Sequence, residues 1–406
     1  VPSTLPDGEP APADGGLPAS ALATLGTRAF GVYVHVPFCA SRCGYCDFNT
    51  YTASELGDGA SQDEYAATAA HEIDLAARVL RERRPSVSTV FFGGGTPTLL
   101  PAADLAALLA RIDEVFGLAA DAEVTTEANP ESVTPASLAQ LRAAGFTRVS
   151  FGMQSAQPHV LAVLDRRHTP GRTVQAVAAA RAAGFEHVNV DLIYGTPGES
   201  DAGWRETLTS AIDTGADHVS AYSLIVEPGT RLAGRVARGE LPMPDDDVLA
   251  DRYAIADEML AASGFDWYEV SNWALSPAAR SRHNLLYWTG GDWWGIGPGA
   301  HSHVGGVRWW NVKHPRAYAA RLAAGVSPAA GREVLTDRDR GVEEVMLRLR
   351  LREGLTVTRL AAQQVAALDR QAEDGLVDRD ALDAGRVVLT RRGRLLADAI
   401  VRELVP

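Results

Sequence analysis

The feature that most restricts how this chain can fold is a short phrase that recurs. It reads Ala144-Gly145-Phe146, Ala183-Gly184-Phe185 and Ser263-Gly264-Phe265, with a looser copy at Thr214-Gly215-Ala216. A glycine just past a helix supplies the left-handed residue that ends it. A strand-like run follows each copy. Helical patterns lie between the copies, as in Val174, Val177 and Ala178, with Arg181 closing the apolar face. Apolar, β-branched runs of strand length lie at Val32–Val36, Val87–Phe92, Glu123–Glu127, Arg148–Met153, His187–Ile193 and His218–Ile225. Repeated helix–glycine–strand units require parallel strands with right-handed crossovers. The expected class is α/β, a parallel β/α barrel, open or closed. Composition bias in an alanine-rich chain would not place a strand pattern after every copy.

Texture divides the rest. Residues 1–28 hold Pro2, Pro6, Pro10, Pro12 and Pro18 and read as a disordered tail. The barrel is expected over 29–266. Seven of the eight tryptophans fall between Trp267 and Trp310, marking an aromatic-rich extension over 267–336. From 337 to 406, charged helical patterns and a Val387-Val388-Leu389-Thr390 run suggest a small helical, winged-helix-like C-terminal domain.

Charge and composition exclude several functions. A net charge of −13 argues against a nucleic-acid partner, which would call for a basic stripe. No apolar run approaches the roughly 18 residues of a bilayer span, so no transmembrane segment is expected. No basic-then-apolar leader opens the chain, so the expected location is cytoplasmic. Lys313 is the sole lysine and lies in no motif, which leaves Schiff-base chemistry without support.

The three cysteines, Cys39, Cys43 and Cys46, all fall within eight positions, directly after the first expected strand. An odd, tight cluster makes a poor disulfide framework and a good metal or cluster site in a reducing compartment. The C-x3-C-x2-C spacing can reach three corners of a cubane iron–sulfur cluster and leave one iron open for a chelating molecule. Zinc is the rival, with His35 as the near fourth ligand. A second phrase, Phe91-Phe92-Gly93-Gly94-Gly95-Thr96-Pro97, ends the next strand, and its glycines let backbone approach a ligand closely. It lacks the lysine of a phosphate-binding loop. Glu127, Gln154 and Asp191 lie at or near strand ends, with Arg166 on the helix after Gln154. In a parallel α/β sheet these positions line the ligand crevice. Carboxylates there accept from ribose hydroxyls, and arginine pairs with a carboxylate.

On these motifs the run from Tyr33 to about Trp310 resembles the coproporphyrinogen-oxidase-like branch of the radical S-adenosylmethionine (radical SAM) superfamily. The resemblance implies the partial, open form of the parallel β/α barrel and a [4Fe–4S] cluster on Cys39, Cys43 and Cys46. It implies S-adenosylmethionine contacts from Tyr33, Gly94, Gly95, Thr96, Glu127, Gln154, Arg166 and Asp191, with Tyr45 beside the cluster and adenine. Within the branch, the oxidases carry an extra cysteine two residues after the third, where this chain has Phe48. The tag His283-Asn284-Leu285-Leu286-Tyr287-Trp288 is similar to the H-N-x-x-Y-W motif of the haem-chaperone type. That type implies haem as cargo, haem-accepting client proteins (respiratory ones foremost) and a homodimer as one arrangement. Histidine is a common haem ligand. The resemblance points to His283, with His301, His303 and His314 as alternatives. Spacing alone reads the tag as packing between barrel and C-terminal domain. The rival functions are oxidative decarboxylation of coproporphyrinogen III and radical SAM chemistry on an unrelated substrate.

Anaerobic reconstitution with iron and sulfide is expected to load about four irons per chain. Replacing Cys39, Cys43 and Cys46 together with alanine is expected to remove them. Iron content and the visible spectrum check this, and a triple variant that keeps both refutes the cluster.

Overall fold

The computed structural model describes residues 7–56, 61–81, 84–166, 169 and 171–405. Six strands follow one another as the sequence pattern expects: β1 (Phe30–Val36), β2 (Val87–Gly94), β3 (Leu118–Ala128), β4 (Arg148–Gln154), β5 (His187–Tyr194) and β6 (His218–Ser223). Each pairs in parallel with the next. The four phrase glycines take φ between +79° and +106°. The phenylalanine after three of them explains the phrase. Phe146, Phe185 and Phe265 are all buried, and burying such a ring is worth about 1.5–3 kcal/mol. Helices such as Gln62–Leu80, Ala102–Phe116 and Asp201–Asp213 cover the outer face. Ile73, Leu80, Leu108, Ile112, Trp204 and Leu208 pack there in one continuous core.

The aromatic-rich segment does not hang off this sheet; it extends both edges. β7 (Asp266–Glu269) and β8 (Asn272–Ala274) form a hairpin beyond β6, antiparallel throughout. The third full copy of the phrase, ending at Phe265, leads into β7, which runs in the same direction as β6 but is separated from it by the antiparallel β8. Two residues separate β7 from β8, too few for a crossover. On the opposite edge β9 (Asp292–Ile296) runs parallel to β1. Then β10 (His301–Val304), β11 (Val307–Asn311) and β12 (Ala329–Val334) continue antiparallel. The spatial order is β12-β11-β10-β9-β1-β2-β3-β4-β5-β6-β8-β7, an open twelve-stranded sheet.

Three sequence expectations need correction. Residues 7–28, expected as part of a disordered tail, are seated on the body. Glu9 and Arg332 exchange two backbone hydrogen bonds of 2.9 Å, Ser327 N–H donates to the Ala13 carbonyl, and Ala21 is fully buried in a short helix, Ala19–Ala23. The unpaired edge of β12 supplies partners that composition could not reveal. The start of that tail, 1–6, lies outside the described residues. The helix Arg172–Ala182 forms, but it buries Thr173, Ala176, Val177 and Ala180, leaving Val174 and Ala178 exposed. β6 ends at Ser223, two residues short of the expected Ile225.

The C-terminal region has its own small core of Leu349, Leu355, Leu368, Val387, Ile400 and Leu404. Its helices Asp337–Arg348, Ala362–Glu373 and Ala397–Leu404 surround the antiparallel pair β13 (Leu355–Thr356) and β14 (Arg386–Val387). It meets the sheet where Arg394 lies 3.6 Å over the Trp267 ring and pairs with Asp257, and where Arg352 N–H donates to the Tyr268 carbonyl. Among the described residues no helix is long and apolar enough to cross a membrane.

A side chain at Gly8 would meet the Trp310 ring at 2.5 Å. Gly8→Val is therefore expected to lift the N-terminal segment off β12. Amide exchange checks this: Glu9 and Ser327 N–H are protected in the parent and at least about tenfold faster in the variant. An unprotected Glu9 in the parent refutes the docking.

Candidate functional site

The cysteine loop is held at both ends by backbone geometry. Cys39 N–H donates to the Tyr51 carbonyl, Gly44 N–H to Leu164, and Leu232 N–H to Gly44. The glycine turn after β2 lies against its start, with Gly95 N–H donating to the Val36 carbonyl at 2.8 Å and Thr96 N–H to Phe38 at 2.7 Å. Only glycine fits at 95, because a Cβ there would sit 2.4 Å from the Phe38 carbonyl oxygen. His35, the near zinc candidate, is buried and committed. Its Nε2–H donates to the Asn49 carbonyl at 2.9 Å, and its Nδ1 accepts from Tyr33 Oη. Burial lowers its pKa to about 3.

One cavity of about 520 Å³ gathers the predicted residues, a size typical of small-molecule sites. Cys39, Cys43, Cys46, Tyr45, Gly94, Gly95, Thr96, Glu127, Gln154, Arg166 and Asp191 all line it. Gln154 turns into it at φ +67°, where a bulge breaks the β4–β5 register. Such a backbone is costly for a residue with a side chain and is found chiefly at functional sites. Arg166 Nη1 lies 3.4 Å from Cys43 Sγ, and Nη2 donates to the Gly152 carbonyl. Glu127 accepts from Gly94 N–H at 2.9 Å. Burial, then the nearby Asp191, pushes its carboxyl up to about 7. Burial also raises Asp191, against hydrogen bonds led by Ser150. Burial raises the Cys39 thiol to about 11 and raises Cys46 as well.

Such thiols ionise when a metal compensates their charge. Among the described residues no three His, Cys, Asp or Glu side chains gather tightly enough for a single metal ion. The thiols, the glycine cradle and the polar strand ends thus fit a cubane with S-adenosylmethionine beside it. When bound, the pair supplies an open iron and a chelating methionine.

Tyr33 and His283 are not brought to this cavity. Both line a second space of about 150 Å³ inside the sheet's curve, which shares Glu127, Ser150, Asp191 and Tyr222 with the first. His283 is 2% exposed, and both ring nitrogens are engaged: Nδ1 with Thr89 Oγ1 at 2.8 Å, Nε2 with Tyr287 Oη at 2.7 Å. Its ring stacks on Phe91. Burial lowers its pKa to about 3. As folded, it is a packed, hydrogen-bonded residue with no nitrogen free for iron, as spacing alone suggested.

Sequence reasoning missed Ser150, Asn189, His218, Ser220 and Tyr222. The signal was present: Arg148/Ser150, Asn189/Asp191 and His218/Ser220/Tyr222 alternate with apolar residues on β4, β5 and β6. A parallel strand covered on both faces reads as continuously apolar. Polar residues at period two mark an inner face lining a space.

The Radical SAM superfamily model matches residues 33–211, and the HemN C-terminal domain model matches 335–396. The chain is 55% identical over 384 residues to a Mycobacterium tuberculosis protein named heme chaperone HemW, covering 95% of this chain and 97% of that protein. It is 33% identical over 377 residues to a Bacillus subtilis protein of the same name, covering 91% and 97%. The solved structure of coproporphyrinogen III oxidase (HemN) from Escherichia coli, a radical SAM enzyme, superposes with a TM-score of 0.81 at 25% identity, covering 97% of this chain and 94% of that one.

Gly95→Ala is expected to displace the cysteine loop while the sheet stays folded. Reconstituted iron should fall by more than about half, with far-ultraviolet circular dichroism unchanged. Full iron loading in a folded variant refutes the cradle.

Proposed function

This chain belongs to the heme chaperone HemW family of radical SAM proteins, and on that premise we propose that it binds haem and passes it to haem-requiring client proteins. The observation that supports this best is the 55% identity running through 97% of the Mycobacterium protein's length. As a radical SAM protein it carries a [4Fe–4S] cluster and S-adenosylmethionine. In our reading Cys39, Cys43 and Cys46 hold the cluster. The backbone at Gly94, Gly95 and Thr96 takes the methionine end, Arg166 its carboxylate, and Glu127, Gln154 and Asp191 the polar groups of the nucleoside. Tyr45 packs with Val160, Leu164 and Ile193 and closes the apolar wall beside the adenine. Respiratory clients, a homodimer and a cytoplasmic location belong to the same reading.

Haem demands a ligand and a flat apolar surface. His301 suits the first role better than His283. Its Nε2 is buried without a hydrogen-bond partner, and its ring lies 6.0 Å from that of Trp310. His303 Nδ1–H donates to the Gly291 carbonyl, which leaves its Nε2 bare and makes it the second candidate, whereas His314 Nδ1 accepts from Arg316 N–H, which puts its proton on Nε2. Phe48, where the oxidases carry a cysteine, lines the cofactor cavity about half exposed and neither ligates metal nor moves a proton.

Anaerobic, cluster-loaded protein is expected to bind haem with a defined visible spectrum and to leave coproporphyrinogen III unchanged in the presence of S-adenosylmethionine and a reductant. His301→Ala should alter the haem spectrum. His283→Ala should chiefly lower stability, by roughly 2–3 kcal/mol for two lost buried hydrogen bonds. Decarboxylation to protoporphyrinogen IX overturns the chaperone reading; an unchanged spectrum in His301→Ala overturns only that ligand.

A further inference from the structure

Asp191 ends a directed chain of hydrogen bonds that crosses three strands. Its Oδ1 accepts from Asn189 Nδ2 at 2.8 Å and its Oδ2 from Ser150 Oγ at 2.7 Å. The Asn189 amide must face Asp191 with its NH₂ group, since an ionised carboxylate only accepts. Asn189 Oδ1 therefore points the other way, 2.6 Å from His218 Nδ1 and 3.2 Å from Ser220 Oγ. Nδ1 of His218 must then carry the proton. Burial holds this histidine neutral, its pKa well below the usual range. So Nε2 is the bare nitrogen, and it accepts from Tyr268 Oη at 2.7 Å. The Tyr268 oxygen in turn accepts from Ser281 N–H at 3.2 Å. Every donor points toward Asp191, and Asn189, His218 and Tyr268 are all at most 4% exposed.

We propose that Asn189 and His218 are positioning residues for the Asp191 carboxylate, and that through it they set the affinity for S-adenosylmethionine. This rests on the reading that Asp191 meets the cofactor. The chain does two things that a lone carboxylate in this place could not do for itself. It holds the carboxylate in one orientation, because Oδ1 and Oδ2 each already accept from a fixed donor. It also supplies N–H and O–H dipoles that compensate a charge being taken out of water. The unit is buried and ordered in advance, so little reorganisation is left for the moment of binding.

Isothermal titration of S-adenosylmethionine into cluster-loaded protein tests the proposal, with iron content and the melting curve as folding controls. His218→Leu removes the donor to Asn189 and is expected to weaken binding about tenfold. His218→Asn keeps an N–H near the Nδ1 position and is expected to stay within about threefold of the parent. In an Asp191→Asn background, His218→Leu is expected to add nothing further, because it acts through a carboxylate already gone. Parent-like affinity in His218→Leu, or losses that simply multiply in the double variant, overturns the proposal. Nitrogen-15 NMR of the parent needs no cofactor and judges the chain directly. The Nδ1–H tautomer at His218 is expected, and an Nε2–H tautomer overturns it even if a variant fails to fold. Unchanged affinity in Asp191→Asn alone removes Asp191 from the cofactor site and the proposal with it, while leaving the haem reading standing.

Discussion

Two backbone hydrogen bonds carry the architecture of the site: Gly95 N–H to Val36 and Thr96 N–H to Phe38. They join the tip of β2 to the start of the cysteine loop at a distance no larger residue permits. The strand pairing beneath them fixes the rest. β1 and β2 align Val36 with Gly94, so the cysteines leave one strand just where the glycines leave its neighbour. Arg166 then closes on Cys43 from the far side, entering over Gly152. A Cβ at Gly152 would sit 2.8 Å from the Arg166 guanidinium. The site is therefore built by close backbone approach first and by side-chain chemistry second.

The curve of the sheet encloses a polar interior that a parallel sheet ordinarily avoids. Arg148, Asp191 and Glu127 face a common space with no direct ion pair between them among the described residues. Burying such groups is costly unless hydrogen bonds replace their water. Ser150 and Asn189 do that for Asp191, and Gly94 N–H does so for Glu127. Arg148 donates to the Ala279 carbonyl through Nη1 and leaves Nη2 without a partner. The H-N-x-x-Y-W tag forms the inner wall of this space. Glu123 accepts from the backbone N–H groups of Arg282 and His283, His283 stacks on Phe91, and Asn284 donates to Glu269. The tag's place in this fold is thus structural support for the lumen.

The outer edges answer a different constraint. An open sheet of twelve strands leaves two edges that can pair with other chains. Glu9 and its neighbours cover β12, and the short hairpin β7–β8 ends the other side. The C-terminal region docks at that hairpin, where Glu269 bridges Leu351. Residues 7–28 are ordered by what they touch, which is why their composition misled.

The local sequence determined the parallel α/β class, the positions of six strands, the glycine helix ends and the three cysteines. These depend on periodicity and on backbone permissions within a few residues. It also named the cysteines, the glycine turn and several polar residues that line the cavity, because a parallel sheet puts the ends of successive strands side by side. Tertiary structure alone decided the rest. Trp294 and Trp309 became sheet core, with rings 4.7 Å apart, because β9 found the free edge of β1, a partner some 260 residues away in sequence. His283 turned inward because Thr89 and Tyr287 together satisfy its ring. Asn189 and His218 joined Asp191 because β4, β5 and β6 stack their inward residues in one layer. Strand order, edge pairing and which donor meets which acceptor across strands are long-range facts, and no local pattern of residues encodes them.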